Sequence, residues 1–340
     1  MFRRGYTRLV TPLDRGDIAL VAALQRAPRA SLTALADVLG ASASTISRRY
    51  ARLVSERLLH VSVSVPWSLT SPRHPSVVWL RCRPGTSTRV AEAVAALPGV
   101  QSVFQVAGVA DLHVTMHPGA GGLPSVLLED IPAIDGVAST STCLVLGTAS
   151  RAGDWSVTGV LDAEQDAALR RLGAVGEERS GPIRPAEREL IRLLVADGRL
   201  GVNDAAHRLG VTRATASRMI AAVVDSGCVR PRVDIEPALL GYPLGLFASI
   251  RSHPAEVEAT LARLSRHPSV RFTALTTGHA SLLVQAVARD ESDARAFLTT
   301  ELGSYEGIQS VSVSTLLRTV RRNWRTVDRE GRLGPCELVI

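Results

Sequence analysis

Between residues 44 and 52, six side chains carry chemistry suited to nucleic acid: Ser44, Thr45, Ser47, Arg48, Arg49 and Arg52. Hydroxyls donate to phosphate oxygens and base edges, while an arginine bridges O6 and N7 of guanine or neutralises a phosphate. Ser42 precedes them as a helix N-cap that can itself face the polyanion. Ile46, Tyr50, Leu53 and Val54 fall on one helical face, which leaves the six polar groups outward. The stretch LGASASTISRRYARLV at 39–54 returns as LGVTRATASRMIAAVV at 209–224. There Thr212, Arg213, Thr215, Ser217 and Arg218 offer the same chemistry, but Met219 and Ala222 stand where the first copy has Arg49 and Arg52. The number of outward arginines predicts that the first helix engages its partner more strongly than the second.

The elements that must hold these helices repeat as well. An offset of 170 residues carries Leu20 onto Leu190, Leu24 onto Leu194, Leu39-Gly40 onto Leu209-Gly210 and Ser47-Arg48 onto Ser217-Arg218. It also carries Pro98 onto Pro268, Gly108 onto Gly278 and Leu112 onto Leu282, which marks a tandem duplication of a two-part unit. The first part reads as three helices. Thr11 and Asp14 form a capping-box-like start before an Ile18, Val21, Leu24 stripe, Ser31 starts a short helix that stops at Gly40, and Ser42 caps the third. Pro185 takes the early helical position in the copy. Two short helices about a glycine turn, after a longer one, make a helix-turn-helix. The alternating runs LLHVSVSV and CVRPRVDI that follow read as strands. The second part has strands near 76–83, 100–107, 111–117 and 137–146, with helices near 87–97 and 123–131. Its copy has strands near 244–251, 270–277, 281–288 and 308–317, with helices near 255–266 and 292–302. That is the βαββαβ order of a ferredoxin-like sandwich.

Charge is distributed to match. All 39 basic residues of the 340-residue chain are arginine, a global substitution, so no arginine is functional for its type alone. The net charge is +7, and residues 1–66 carry +6 and 183–235 carry +3, while 67–182 and 236–317 carry −3 and −2. Positive charge gathers on both helix-turn-helix segments and points to a polyanion. Cys82, Cys143, Cys228 and Cys336 share no metal-like spacing and read as structural thiols. No run approaches the roughly 20 apolar residues of a membrane span. The start MFRRGYTRLVTP lacks the apolar core of a secretion signal, so a cytoplasmic location without a membrane partner is expected.

A winged helix-turn-helix followed by a βαββαβ domain, with a Gly-x-x-Asp turn between its second and third strands, resembles the Lrp/AsnC family of transcription regulators. Leu39, Gly40, Ser42 and Arg49 meet the family pattern, with Arg57 where a glycine is expected. Leu209, Gly210, Thr212 and Gly227 meet it in the copy, with Met219 where an arginine is expected. The resemblance implies an α+β fold: two copies of a winged helix-turn-helix followed by a ferredoxin-like sandwich domain. The domains are a helix-turn-helix at 1–66, a ligand and dimerisation domain at 67–150, and a linker with a short helix at 151–182. A second helix-turn-helix follows at 183–236, a second ligand and dimerisation domain at 237–320, and a basic tail at 321–340. Double-stranded DNA is the implied partner and an amino acid or related metabolite the implied effector. The two sandwich domains would pair within the chain as a pseudo-dimer, open to further homo-oligomerisation. By the same resemblance, effector binding falls to Gly108 and Asp111 of GVAD and to Gly278 and Ser281 of GHAS. Asp111 either accepts from an effector's ammonium or serves the turn's own amides, and Ser281 lacks the carboxylate.

His113 and His117 are four residues apart on a strand, about 13 Å, too far for one metal ion, and read as one polar face. Arg318, Arg321, Arg322 and Arg325 have helical spacing and predict a basic stripe around Trp324. No acid–base, nucleophilic, cofactor or metal constellation is visible, so the chain reads as a DNA-binding regulator and not as an enzyme. Two alternatives stand beside that reading. One is an enzyme on the same scaffold, as in the sirohaem decarboxylases, which resemble this family in both parts. The other is a ligand-sensing or assembly protein whose helix-turn-helices are vestigial.

Overall fold

The computed structural model describes residues 12–65, 67, 74–117, 122–150, 154–174, 184–225 and 227–338. They form two compact units, one built from residues 13–70 and 156–236 and the other from 71–155 and 237–337. No described helix is long and apolar enough to cross a membrane.

In the helical unit, Asp14 caps α1 (Arg15–Arg26) by accepting from the Asp17 amide at 2.8 Å; Thr11 lies outside the described residues. Leu20, Val21 and Leu24 are its buried stripe. Ser31 caps α2 (Leu32–Leu39), which ends at Gly40 with φ 63°, and Ser42 caps α3 (Ala43–Ser55). This left-handed C-cap is why a glycine sits there. After α6 (Ala163–Leu172), the order repeats as α7 (Pro185–Ala196), α8 (Val202–Leu209) and α9 (Arg213–Val224), with Gly210 at φ 64°. Arg57, in place of the expected glycine, is held at φ 59°. An L-residue pays roughly 1 kcal/mol or more for that conformation, which Gly227 avoids at φ 66°.

The strands after the helices do not make separate wings. The single strand β1 (Leu59–Ser64) pairs antiparallel with its counterpart β6 (Arg230–Ile235), from Leu59 opposite Ile235 to Ser64 opposite Arg230. A lone strand has no partner for its amides within its own copy, and the other copy supplies one. β1 lies against α7 and β6 against α1, so each copy covers the other. Two arginines at the 170-residue offset complete the clasp. Arg29 donates to the carbonyls of Gly198 and Leu200, and Arg199 donates to those of Pro28 and Ala30 at 2.6 and 2.7 Å. Among the described residues, α1 and α2 carry an extra cover, α6, whose Asp166 pairs with Arg26 at 2.6 Å and whose Gln165 donates to the Val38 carbonyl. Ala22 on α1 is buried, whereas Arg192, at the matching place on α7, is exposed.

The other compact unit is a ring of strands. Its members are β2 (Ser76–Cys82), β3 (Val100–Ala107), β4 (Leu112–Met116), β5 (Val137–Ser150), β7 (Leu244–Ser252), β8 (Val270–Thr276), β9 (Leu282–Ala288) and β10 (Ile308–Arg322). Their order is β10-β3-β4-β2-β5-β8-β9-β7, and β7 pairs back to β10. Closure depends on two long strands. The first half of β5 pairs with β2 and the second half with β8; β10 pairs with β7 and then with β3. On the outside of the ring, α4 (Ser87–Ala95) covers a core of Val78, Leu80, Val103, Val114 and Met116. α10 (Val257–Leu264) covers one of Leu246, Ile250, Leu282 and Val284. The helices that precede the long strands, α5 (Gly122–Ser125) and α11 (Glu291–Ala296), each run into a π turn, Val126–Asp130 and Phe297–Glu301.

The tail departs from its expected helix. Arg318, Arg321 and Arg322 lie in β10, and a two-residue loop with Asn323 at φ 51° and Trp324 at φ 68° turns into β11 (Arg325–Val327) and β12 (Leu333–Cys336). Paired positive φ values at a two-residue loop match the twist of a hairpin. Arg321, Arg322 and Arg325 are buried, and Arg321 donates to the Ala95 carbonyl and pairs with Glu337. The helical spacing of these arginines is coincidental, because the alternating run VSVSTLL carries straight on as strand.

Gly198 is where the clasp is tightest, since a Cβ there would lie 2.6 Å from the Ser62 carbonyl oxygen. Gly198→Ala is expected to destabilise the helical unit by about 1–3 kcal/mol, measured as a lower urea midpoint.

Candidate nucleic-acid interface and effector turns

The outward face of α3 is narrower than its arginine count suggests. Ser44, Ser47 and Arg48 are exposed, and Arg48 has no partner among the described residues. Ser42 and Thr45 are occupied with each other at 2.8 Å as part of the cap. Arg49 and Arg52, expected to face the partner, turn instead onto α1. Arg49 donates to both oxygens of Asp14 at 2.8 Å and to Asp17 at 2.7 Å, and Arg52 pairs with Asp17 and with Glu56. The cause is Asp17, whose side chain is 2% exposed under the first turn of α1. A buried carboxylate without a cation is costly. The Arg49 guanidinium holds the Asp14 carboxyl below its ordinary range, and Asp14 and Asp17 raise Arg49 in return.

The second copy solves the same problem from the other side. Its buried acid is Glu187, 3% exposed, and the cation is Arg184 at the helix cap, 2.6 Å away. Arg184 stands at the position of Asp14, so Met219 can stand at that of Arg49. On α9, Arg213, Ala214, Ser217 and Arg218 are exposed, and neither arginine has a partner among the described residues. Thr212 caps the helix and shares a hydrogen bond with Thr215. Sequence reasoning missed the internal pairing, although the exchange of Asp14 and Arg49 for Arg184 and Met219 was a visible signal of it.

The two turns are also tied down. Asp111 accepts from the Cys82 amide through Oδ2 at 2.7 Å. Ser281 makes the matching bond to the amide of Ser252 at 3.4 Å. Each turn abuts the long strand of the other half. A Cβ at Gly108, φ 155°, would lie 2.4 Å from Ser314 Oγ, and one at Gly278, φ 93°, would lie 3.6 Å from Cys143.

His113 does not contribute to a solvated polar face. It is buried inside the ring against Phe247, with centroids 4.4 Å apart, and against Trp79 at 5.7 Å. Trp79 in turn meets His279 of the second turn at 5.2 Å. Nδ1 of His113 has no hydrogen-bond partner among the described residues. His117 stacks beside Trp324 instead. No described group of three histidine, cysteine or acidic side chains is placed to hold a metal ion.

With the geometry in view, residues 13–54 match the family model of the AsnC-type helix-turn-helix domain, and residues 76–154 and 246–325 each match that of the Lrp/AsnC ligand binding domain. The chain belongs to the Lrp/AsnC family of transcription regulators. An uncharacterized HTH-type transcriptional regulator of Pyrococcus abyssi is 26% identical over 143 residues, 42% of this chain and 90% of that protein. The regulatory protein AsnC of Escherichia coli K12 is 25% identical over 134 residues, 39% of this chain and 88% of its own length. Over the whole chain, the crystal structure of the siroheme decarboxylase NirDL in complex with an iron-uroporphyrin III analogue is similar. It covers 91% of this chain and 93% of its own at 12% identity, with a TM-score of 0.58. At that identity the likeness is one of fold. It overturns the expectation that this chain is no enzyme, because a chain of this same architecture is a decarboxylase.

Two outcomes are expected. Arg49→Met should lower stability by about 1–3 kcal/mol by weakening the compensation of Asp17. Asp14→Arg added to it, which copies the second half's arrangement, should restore part of that loss in thermal melts. Burial pushes His113 and His117 down to about 4. The unfolded chain therefore binds more protons below pH ~6.5, so stability is full above that pH and falls as pH drops toward 4. His113→Leu, the residue at the matching position 283, should flatten urea midpoints between pH 7.5 and 4.5.

Proposed function

We propose that the chain is a sequence-specific DNA-binding regulator that responds to an amino acid or related small metabolite, with both three-helix units acting as helix-turn-helices. The observation that carries the reading is the clasp: β1, β6, Arg29 and Arg199 hold the two three-helix bundles together within the helical unit. Each unit presents an exposed hydroxyl and arginine on its third helix, Ser47 and Arg48 in one, Ser217 and Arg218 in the other. Paired helices held this way suit two successive half-sites on a duplex. Ser42, Thr45, Thr212 and Thr215 contribute by capping the helices whose amino ends approach phosphate. Gly108, Asp111, Gly278 and Ser281 form the effector turns in this reading, and the ring that holds them is the ligand-sensing part.

Genomic fragments mixed with the purified chain at low salt should be retained, and affinity should fall steeply with rising salt as phosphate counterions are displaced. Absence of retention at low salt would sink the reading. For the effector, Asp111→Asn keeps an acceptor for the Cys82 amide but removes the charge, while Asp111→Ala removes both. If the carboxylate meets an ammonium group, calorimetry with amino acids should show both variants losing affinity, whereas Asp111→Asn binding like wild type would confine Asp111 to the turn.

The whole-chain likeness to siroheme decarboxylases favours a second reading, an enzyme acting on a tetrapyrrole. The apolar ring interior with Trp79, His113 and Phe247 supports it chemically, since aromatic faces and an imidazole suit a flat macrocycle. Titration with iron-uroporphyrin III, followed by absorbance, should then saturate with a shifted band; an unchanged spectrum removes this reading.

A further inference from the structure

We infer that the second helix-turn-helix, through Arg208, Arg213 and Arg218, supplies the larger part of the contact with DNA. The inference rests on the DNA-binding reading above and reverses the order expected from the arginine count. The helix-turn-helix family model matches only residues 13–54, so nothing in that match assigns this surface.

Position by position at the 170-residue offset, the first unit has Asp37, Val38, Ala43 and Arg48 where the second has His207, Arg208, Arg213 and Arg218. Arg208, Arg213 and Arg218 are all exposed, and none has a hydrogen bond or ion pair among the described residues. Asp204 is the acid the second unit adds on α8, where the first has Ala34. The two arginines that the first unit has in excess, Arg49 and Arg52, are already cancelled by Asp14, Asp17 and Glu56. Moving either to a phosphate would strip the buried Asp17 of a cation, a cost that opposes binding. The free charge on the motif is therefore one arginine in the first unit and three in the second.

Placement agrees with charge. Arg213 opens α9, where the unpaired amides of the first turn already favour an anion. Arg213 with Ser217, and Ala214 with Arg218, stand four residues apart and so share one exposed face. Arg208 lies on α8 just before the Gly210 turn, at the place where the first unit's Val38 is engaged by Gln165 of α6. The cover on the first unit and the open cationic surface on the second are two aspects of the same asymmetry.

The test uses the full chain and a duplex selected from a random pool, with fluorescence anisotropy measured between 50 and 300 mM salt at about equal steps. The triple variant Arg208→Ala, Arg213→Ala, Arg218→Ala should lower the log–log salt slope by about 2–3, and Arg48→Ala by about 1. Arg213→Ala alone should weaken binding by about tenfold, at least as much as Arg48→Ala. All four side chains are exposed, so thermal melts of these variants should match wild type. Arg48→Ala costing as much as the triple variant, or the triple variant binding like wild type, would overturn the inference while leaving DNA binding intact. Wild type failing to bind any duplex would instead overturn the DNA reading and this inference with it.

Discussion

A carboxylate buried under the first turn of each leading helix must have a cation within reach, and that demand organises the helical unit. In the first copy Asp17 takes it from the third helix, through Arg49 and Arg52; in the second, Glu187 takes it from its own cap, through Arg184. The choice has effects in both directions. It ties α3 to α1 and so fixes the angle at which α3 is presented. It also removes two guanidinium groups from the surface that a polyanion would see. A group spent on internal compensation is not available for binding, because releasing it reinstates the full desolvation penalty of its partner.

The sandwich unit depends on a different constraint, that of strand edges. Two βαββαβ halves each leave an edge with unpaired amides, and such edges invite uncontrolled association. The long strands β5 and β10 remove the problem by leaving one half midway and entering the other. The register breaks near Val145 and Leu316 mark where each strand bends across. The bend brings Gly108 against Ser314 and Gly278 against Cys143, so the turns of one half are shaped by the strand of the other.

Much of this was legible in the sequence where local chemistry decides. The caps at Ser31, Ser42 and Thr212 and the glycine stops at Gly40 and Gly210 are short-range features, and the 170-residue offset makes the repetition plain. What was not legible depends on contacts between distant residues. Periodicity turns Arg49 outward, but it cannot register that Asp14 lies 35 residues earlier within 2.8 Å. The arginines of the tail follow a helical spacing, yet β3 offers β10 an open edge, and pairing overrides the pattern. His113 alternates like a solvated strand residue, but the ring closes over it. Local pattern likewise does not reveal that Asp111 accepts from the Cys82 amide, 29 residues earlier.

Closure of the ring within a single chain changes what governs its integrity. When two subunits complete each other's sheets, the folded fraction follows protomer concentration, and a scarce protein spends part of its time dissociated. Here the complementary strand is always attached, so the assembled form persists at any dilution. Attachment also gives the chain's own strand an advantage in effective concentration over any strand from another molecule. Each copy then has one permanent companion, so a pair such as Arg184 with Met219 in the helical unit has to fit its own copy and not a second identical one.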